Sequence, residues 1–156
     1  MTTLQTIAAN TDVSTILLVD DRPENLFVLE TVLEDSGYNL LKATSGYEAL
    51  RMVSAHNPDL VLMDVQMPIM DGFTVAKLIR NRPKYKNLPI FFITAKCKEQ
   101  ADILKGYAAG GENYLFKPIE PDVLKKKIHV SLTFQNVRKV WNERIKPSYH
   151  TREVRA

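Results

Sequence analysis

Four short apolar runs punctuate the chain, Ile16 to Val19, Leu40 to Ala43, Leu60 to Met63 and Ile90 to Ile93, each bounded by polar or turn residues. A fifth, weaker run is Tyr114-Leu115-Phe116. Runs of this length suit buried strands, and the segments between them are long enough for helices and carry helical periodicity. After Pro23, whose missing N–H costs nothing in a first helical turn, Leu26, Leu29 and Leu33 recur at i, i+3 and i+7 before Gly37 offers a stop. Ser45 and Glu48 have capping-box spacing and open a second helix that should end before Pro58. A third follows Asp71-Gly72 with Val75, Leu78 and Ile79 facing inward, and Pro83 closes it. A fourth covers about Gln100 to Ala109, and a fifth starts near Pro121 with Val123, Leu124, Ile128 and Leu132 inward.

Strand then helix, five times over, predicts an α/β fold: a doubly wound, five-stranded parallel sheet with helices on both faces, because each crossover is right-handed and returns over the sheet. In such sheets ligands sit at the carboxyl ends of the strands.

Composition agrees with one compact domain plus a short tail. The chain has 156 residues, 45% hydrophobic and 25% charged, close to the globular average and unlike a disordered or fibrous chain. Its apolar runs fall far short of the ~20 residues that a membrane-spanning helix requires. The first residues lack the basic start and apolar centre of a secretory signal, and one cysteine, Cys97, cannot form an internal disulfide, so a cytoplasmic location is expected. The net charge of +3 hides an asymmetry: residues 117–156 carry +6 and residues 1–116 carry −3. A basic end attracts nucleic acid or an acidic partner. It also suits a solvated helix face with a basic tail, the plainer reading.

The strand tips carry the candidate chemistry. Asp20 and Asp21 follow the first run, Asp64 the third, Thr94-Ala95 the fourth and Lys117-Pro118 the fifth. Singly, each has an ordinary explanation as a helix cap, a turn residue or a solvated charge. Together they bring three carboxylates, a hydroxyl and an ammonium to one edge of one sheet. If the strand order is 2-1-3-4-5, borrowed from flavodoxin-like sheets, Asp21 and Thr94 flank Asp64 at about 4.8 Å. The fifth strand is then about 10 Å from the third, a gap that a long lysine side chain spans. Clustered carboxylates repel one another without a cation, and Mg²⁺ is the hard ion that takes one or two carboxylates together with a phosphate. Phosphoryl transfer asks chiefly for positioning and charge neutralisation. Asp64, central in the set, is the best-placed nucleophile for an aspartyl-phosphate, with Asp20 and Asp21 holding metal on one side and Thr94 and Lys117 contacting phosphoryl oxygens on the other.

Val19-Asp20-Asp21, the run from Asp64 through Met67-Pro68 to Met70-Asp71-Gly72, Thr94-Ala95, and Tyr114-Leu115-Phe116-Lys117-Pro118 together resemble the receiver domain of bacterial response regulators, over about residues 14–137. The resemblance implies a flavodoxin-like (βα)5 receiver fold that takes a phosphoryl group on Asp64 from a histidine kinase or histidine phosphotransfer protein. It further implies Mg²⁺ ligation by Asp21, Asp64 and the backbone carbonyl of Gln66, with Asp20 acting through a water. Thr94 and the Ala95 amide would bind the phosphoryl group, Lys117 would pair with it, and Pro118 would follow a cis peptide bond. Tyr114 occupies the switch-aromatic position, coupled to movement of Thr94. Gly110-Gly111-Glu112-Asn113 departs from the family's commoner Gly-Ala-x-Asp, which loosens that loop. Gln66 and Lys96 stand where the family tunes dephosphorylation, and Cys97 reads as an unreactive thiol.

Residues 1–13 read as a flexible segment and 138–156 as a helical extension and tail. Val123, Val130 and Val137 repeat every seven residues, with Phe134 and Trp141 four positions after two of the valines. Lys127 and Arg144 interrupt this heptad-like seam, so both a homodimer through the C-terminal helix and a fold-back of Phe134 and Trp141 onto the domain stay open. The output is either a separate protein partner or a covalently linked domain.

Three rival classes are weaker. A phosphohydrolase would want a second carboxylate two residues after the nucleophile, where Gln66 stands. A nucleic-acid binder would show a helix-turn-helix or an aromatic-interleaved platform, and neither is present. A flavin protein would not place Asp20-Asp21 against the cofactor's phosphate.

Overall fold

A computed structural model describes residues 13–95 and 113–145. The helix expected over Gln100 to Ala109, together with Lys96, Cys97 and Gly110 to Glu112, lies outside the described residues.

Five strands, β1 Thr15–Val19, β2 Asn39–Ala43, β3 Leu60–Asp64, β4 Ile90–Thr94 and β5 Asn113–Phe116, form one parallel sheet in the order β2-β1-β3-β4-β5. The helices are α1 Pro23–Leu33, α2 Gly46–His56, α3 Gly72–Arg80 and α4 Pro121–Val140, the last continued by a π-helical turn over Trp141–Ile145. The 2-1-3-4-5 order borrowed from flavodoxin-like sheets is the one observed.

Alternation along each central strand sorts its side chains onto two cores. Leu17, Val19, Val61, Met63, Ile90 and Phe92 pack with α2 and α3. Ile16, Leu18, Leu60, Leu62, Phe91 and Ile93 pack with Leu26, Leu29 and Leu33 of α1 and Leu124, Ile128 and Leu132 of α4. β1, β3 and β4 are buried on both sides and therefore read as unbroken apolar runs, whereas β2 at the edge is only partly covered.

The helix starts follow their local signals. Ser45 Oγ accepts the Glu48 backbone N–H at 3.1 Å, while the Glu48 carboxylate accepts from Thr44 Oγ1 at 3.3 Å. Asp71 Oδ1 caps α3 by accepting from Thr74 N at 2.8 Å. Two expected inward residues turn outward. Leu78 is exposed because Gly72, Phe73, Val75, Ala76 and Ile79 define the covered face of α3, and Val123 is exposed because Leu124, Ile128 and Leu132 define that of α4. At about 100° per residue both lie more than a third of a turn from the centre of the buried stripe. Phe134 and Trp141 also stand away from the domain, at 61% and 46% exposure. No helix among the described residues is long and apolar enough to cross a membrane.

Candidate functional site

Parity along the strands assembles the site. Asp20 stands one residue past β1 in phase with Ile16 and Leu18, and Asp64 closes β3 in phase with Leu60 and Leu62. Lys117 follows β5 in phase with Leu115, which shares that core. All three side chains therefore emerge on the α1 side of the sheet's carboxyl edge. Asp21, one residue further along, lies past the end of the pleat and turns back toward them. One oxygen from each of Asp20, Asp21 and Asp64 lies within 4.8 Å of the others. Lys117 Nζ is 3.6 Å from Asp20 Oδ2 and 3.8 Å from Asp64 Oδ1, so one ammonium serves two carboxylates.

Backbone bonds hold these tips in place. Asp20 N donates to Ala43 O at 3.1 Å, Val65 N to Ile93 O at 3.2 Å and Lys117 N to Thr94 O at 2.9 Å. Asp20 Oδ1 also accepts the Arg22 N–H at 2.9 Å, which fixes the entrance to α1. The loop after Asp64 closes on itself where Gly72 N donates to Val65 O at 2.9 Å. Gly72 is needed there, because a Cβ would run into the Asp64 carbonyl oxygen and stand 2.9 Å from Met63 Cγ. At the tip of this loop Ile69 holds a φ of 70°, a left-handed conformation that β-branched residues rarely adopt, and its side chain is 94% exposed.

Electrostatics mark Asp64. Asp20 and Asp64 are buried and Asp21 is half-buried. Burial, chiefly, and then the Asp20 carboxylate push the Asp64 carboxyl up to about 6, with Asp21 adding to the rise while Lys117 and the Gln66 backbone N–H oppose it. The cluster thus carries more negative charge than Lys117 relieves. Three converging carboxylate oxygens are the donor set of a hard divalent cation, and these residues fit Mg²⁺.

Thr94 lies on the other face, in phase with Ile90 and Phe92, and is buried at the tip of β4. Tyr114 and Phe116 share that face, in register with Phe92 and Thr94 respectively. The half-buried Tyr114 ring lies 5.5 Å from Phe92 and 6.4 Å from both Phe73 and Phe116. The Lys117-Pro118 bond is cis, as expected.

A cleft of about 340 Å³ opens over the carboxylates, lined by Asp21, Arg22, Asn25, Asp64, Gln66, Ala95 and Lys117. Of the sequence-predicted residues, Asp21, Asp64, Gln66, Ala95 and Lys117 line this one opening, Asp20 lies beside it against Lys117, and Thr94 and Tyr114 lie on the adjoining face. Arg22 and Asn25 were not singled out from the sequence. Their spacing from the acidic pair is the available signal: Arg22 is the N-cap and Asn25 lies on the first turn of the helix that Asp21 leads into.

Comparison with known proteins agrees with this geometry. A family model described as the response regulator receiver domain matches residues 16–129. The chain is 38% identical over 141 residues to the transcriptional regulatory protein YvrH of Bacillus subtilis, covering 88% of this chain and 58% of that protein. It is 33% identical over 117 residues to protein PilH of Pseudomonas aeruginosa, covering 75% of this chain and 96% of that one. Among solved structures, the receiver domain of the sensor histidine kinase PA1611 from Pseudomonas aeruginosa, with a magnesium ion coordinated in its active-site cleft, superposes with a TM-score of 0.72 at 30% identity, over 78% of this chain and 99% of that one. The chain spans little more than half of YvrH and nearly all of PilH. With the fold, the acidic cleft and the family match in agreement, the chain belongs to the response regulator receiver domain family of two-component signalling.

Proposed function

We propose that the chain is a Mg²⁺-dependent phosphoacceptor switch that receives a phosphoryl group on Asp64 from a histidine kinase or histidine phosphotransfer protein. The observation that carries this reading is the convergence of three carboxylates on the Asp64 tip, with the Lys117 ammonium between Asp20 and Asp64. An Asp64 oxygen attacks phosphorus, the P–N bond to the donor imidazole breaks, and that nitrogen takes a proton. Asp21, Asp64 and the Gln66 carbonyl would hold Mg²⁺, with Asp20 acting through a water, and the ion supplies positive charge to the equatorial oxygens. Lys117 leaves its carboxylate partners to pair with the phosphoryl group, which the Thr94 hydroxyl and the Ala95 N–H also contact.

Thr94 and Tyr114 form the switch. They share a face of neighbouring strands, so movement of the Thr94 hydroxyl toward the phosphoryl group frees space into which the half-buried Tyr114 ring turns. Two discrete packings of one aromatic ring are the bistable element that a local charge change can bias. Donor recognition falls to α1, where Phe27 and Val28 are exposed and Val28 borders a cavity of about 270 Å³ reaching Asp20 and Lys117.

Intact mass after incubation with Mg²⁺ and acetyl phosphate tests the reading, with Asp64→Asn and a chelated sample alongside. A single phosphoryl gain, absent from both controls, supports it. Absence of any gain in the unaltered protein, or a gain retained by the Asn variant, overturns it.

A further inference from the structure

Helix α4 carries two apolar faces. Leu124, Ile128 and Leu132 are buried on the domain, while Val123, Val130, Phe134, Val137 and Trp141 are exposed on the far side. At about 100° per residue the five exposed positions fall within a band of roughly 60°, about 140° from the buried face. A regular α-helix would next bring Arg144 toward this seam. The π-helical turn over Trp141–Ile145 adds a residue to that turn, rotates Arg144 away and returns Ile145, 40% exposed, to the stripe. The stripe then runs from Val123 to Ile145, about 33 Å along the helix.

Its margins are basic. Lys127 and Arg138 border one edge and Lys126 the other, and the Arg138 guanidinium sits over the Phe134 ring at 4.9 Å. The acidic residues of this segment, Asp122 and Glu143, fall well outside the band. A second copy of the chain is a poor occupant, since pairing identical stripes in either direction sets basic margins against basic margins. A lipid surface is also disfavoured, because helices lying in an interface present a broad apolar face and this one is as narrow as a helix-pairing seam.

We propose that this stripe docks an amphipathic protein helix whose apolar seam is edged by Asp and Glu. The surface is separate from the carboxylate cleft, so the inference does not rest on the phosphoacceptor reading. Trp141 is the sole tryptophan and sits on the stripe, so its emission reports occupancy directly. The full chain is titrated with a three-heptad helical peptide bearing Leu at its a and d positions and Glu at e and g, and with a twin bearing Lys at e and g. Expected are a blue shift with the Glu-edged peptide, at least tenfold weaker binding of the Lys-edged twin and of Phe134→Glu, and loss of affinity at high salt. A Lys126→Glu/Arg138→Glu variant should reverse the preference toward the Lys-edged peptide, an outcome that misfolding would not produce. The proposal is overturned if the Glu-edged peptide causes no shift or if both peptides bind equally. It is equally overturned if the chain alone sediments as a dimer with Trp141 already shielded, or if phosphatidylserine vesicles shift the emission and the peptide does not.

Discussion

Replacing Asp64 with asparagine should stabilise the metal-free protein, by an amount that depends on pH. Burial first, and the carboxylates of Asp20 and Asp21 after it, raise the Asp64 carboxyl from its ordinary 3.8 to about 6 in spite of Lys117. A raised carboxyl binds its proton more tightly in the folded than in the unfolded chain, so stability falls as pH climbs between those two values. Below both values the acid is neutral in either state and there is no penalty. Above both, the folded protein carries the whole cost, on the order of 3 kcal/mol at about 1.4 kcal/mol per pH unit. Asparagine fills the same space and never ionises. Urea unfolding in the presence of a chelator, followed by circular dichroism from about pH 4 to 8, measures the difference. The variant's advantage should grow through this range and level off, with its midpoint about 1–2 M urea higher at the alkaline end. Adding Mg²⁺ there should raise the wild type toward the variant, since an ion that binds only the folded state stabilises it. A difference that is flat across pH, or a wild type more stable than the variant above pH 6, would refute the reasoning.

Gly72→Ala should lower stability by about 2–4 kcal/mol in thermal or urea unfolding, because its methyl meets the Asp64 carbonyl and Met63 and the loop must shift. Ile69→Gly should raise stability by about 1 kcal/mol, since it releases a β-branched residue from a φ of 70° without uncovering any core. Lys117→Met should leave Mg²⁺ binding by calorimetry as tight or tighter, having removed a competing cation from Asp20 and Asp64, while slowing phosphorylation by acetyl phosphate at least tenfold. Ser45→Ala should cost about 1 kcal/mol of unfolding free energy through loss of the bond from Glu48 N.

The sheet was legible in the sequence because its central strands are buried on both faces, which turns Ile16 to Val19, Leu60 to Met63 and Ile90 to Ile93 into unbroken apolar runs. The strand order was legible only by borrowing it from similar sheets, since periodicity within a strand contains nothing about its neighbours. The clustering of Asp20, Asp21, Asp64 and Lys117 followed once that order was assumed, because each closes or follows a strand. Helix faces were read less well. Leu78 and Val123 are apolar and near the right spacing, but which stripe is covered depends on the tilt at which a helix lies on the sheet. Arg22 and Asn25 are not legible as cleft residues, because polar residues at an N-cap or on a first helical turn look alike whether they face solvent or a cleft. The left-handed turn at Ile69 had no signal at all, as an isoleucine is among the last residues expected there.

The shared parity of Asp20, Asp64 and Lys117 governs which insertions and deletions this gene could tolerate. One residue inserted within β3 would send Asp64 to the α3 side of the sheet, because a one-residue slip exchanges the two faces. The fold could survive with its apolar positions re-paired, yet the carboxylate would no longer face Asp20 or Lys117. The same insertion in the stretch between α3 and β4, residues 81–89, leaves every strand in phase with its own tip. Length variation should therefore accumulate in connections between elements and be absent from the last few residues of β1, β3 and β5, where the spacing from core residue to strand tip decides which face of the sheet the site residue meets.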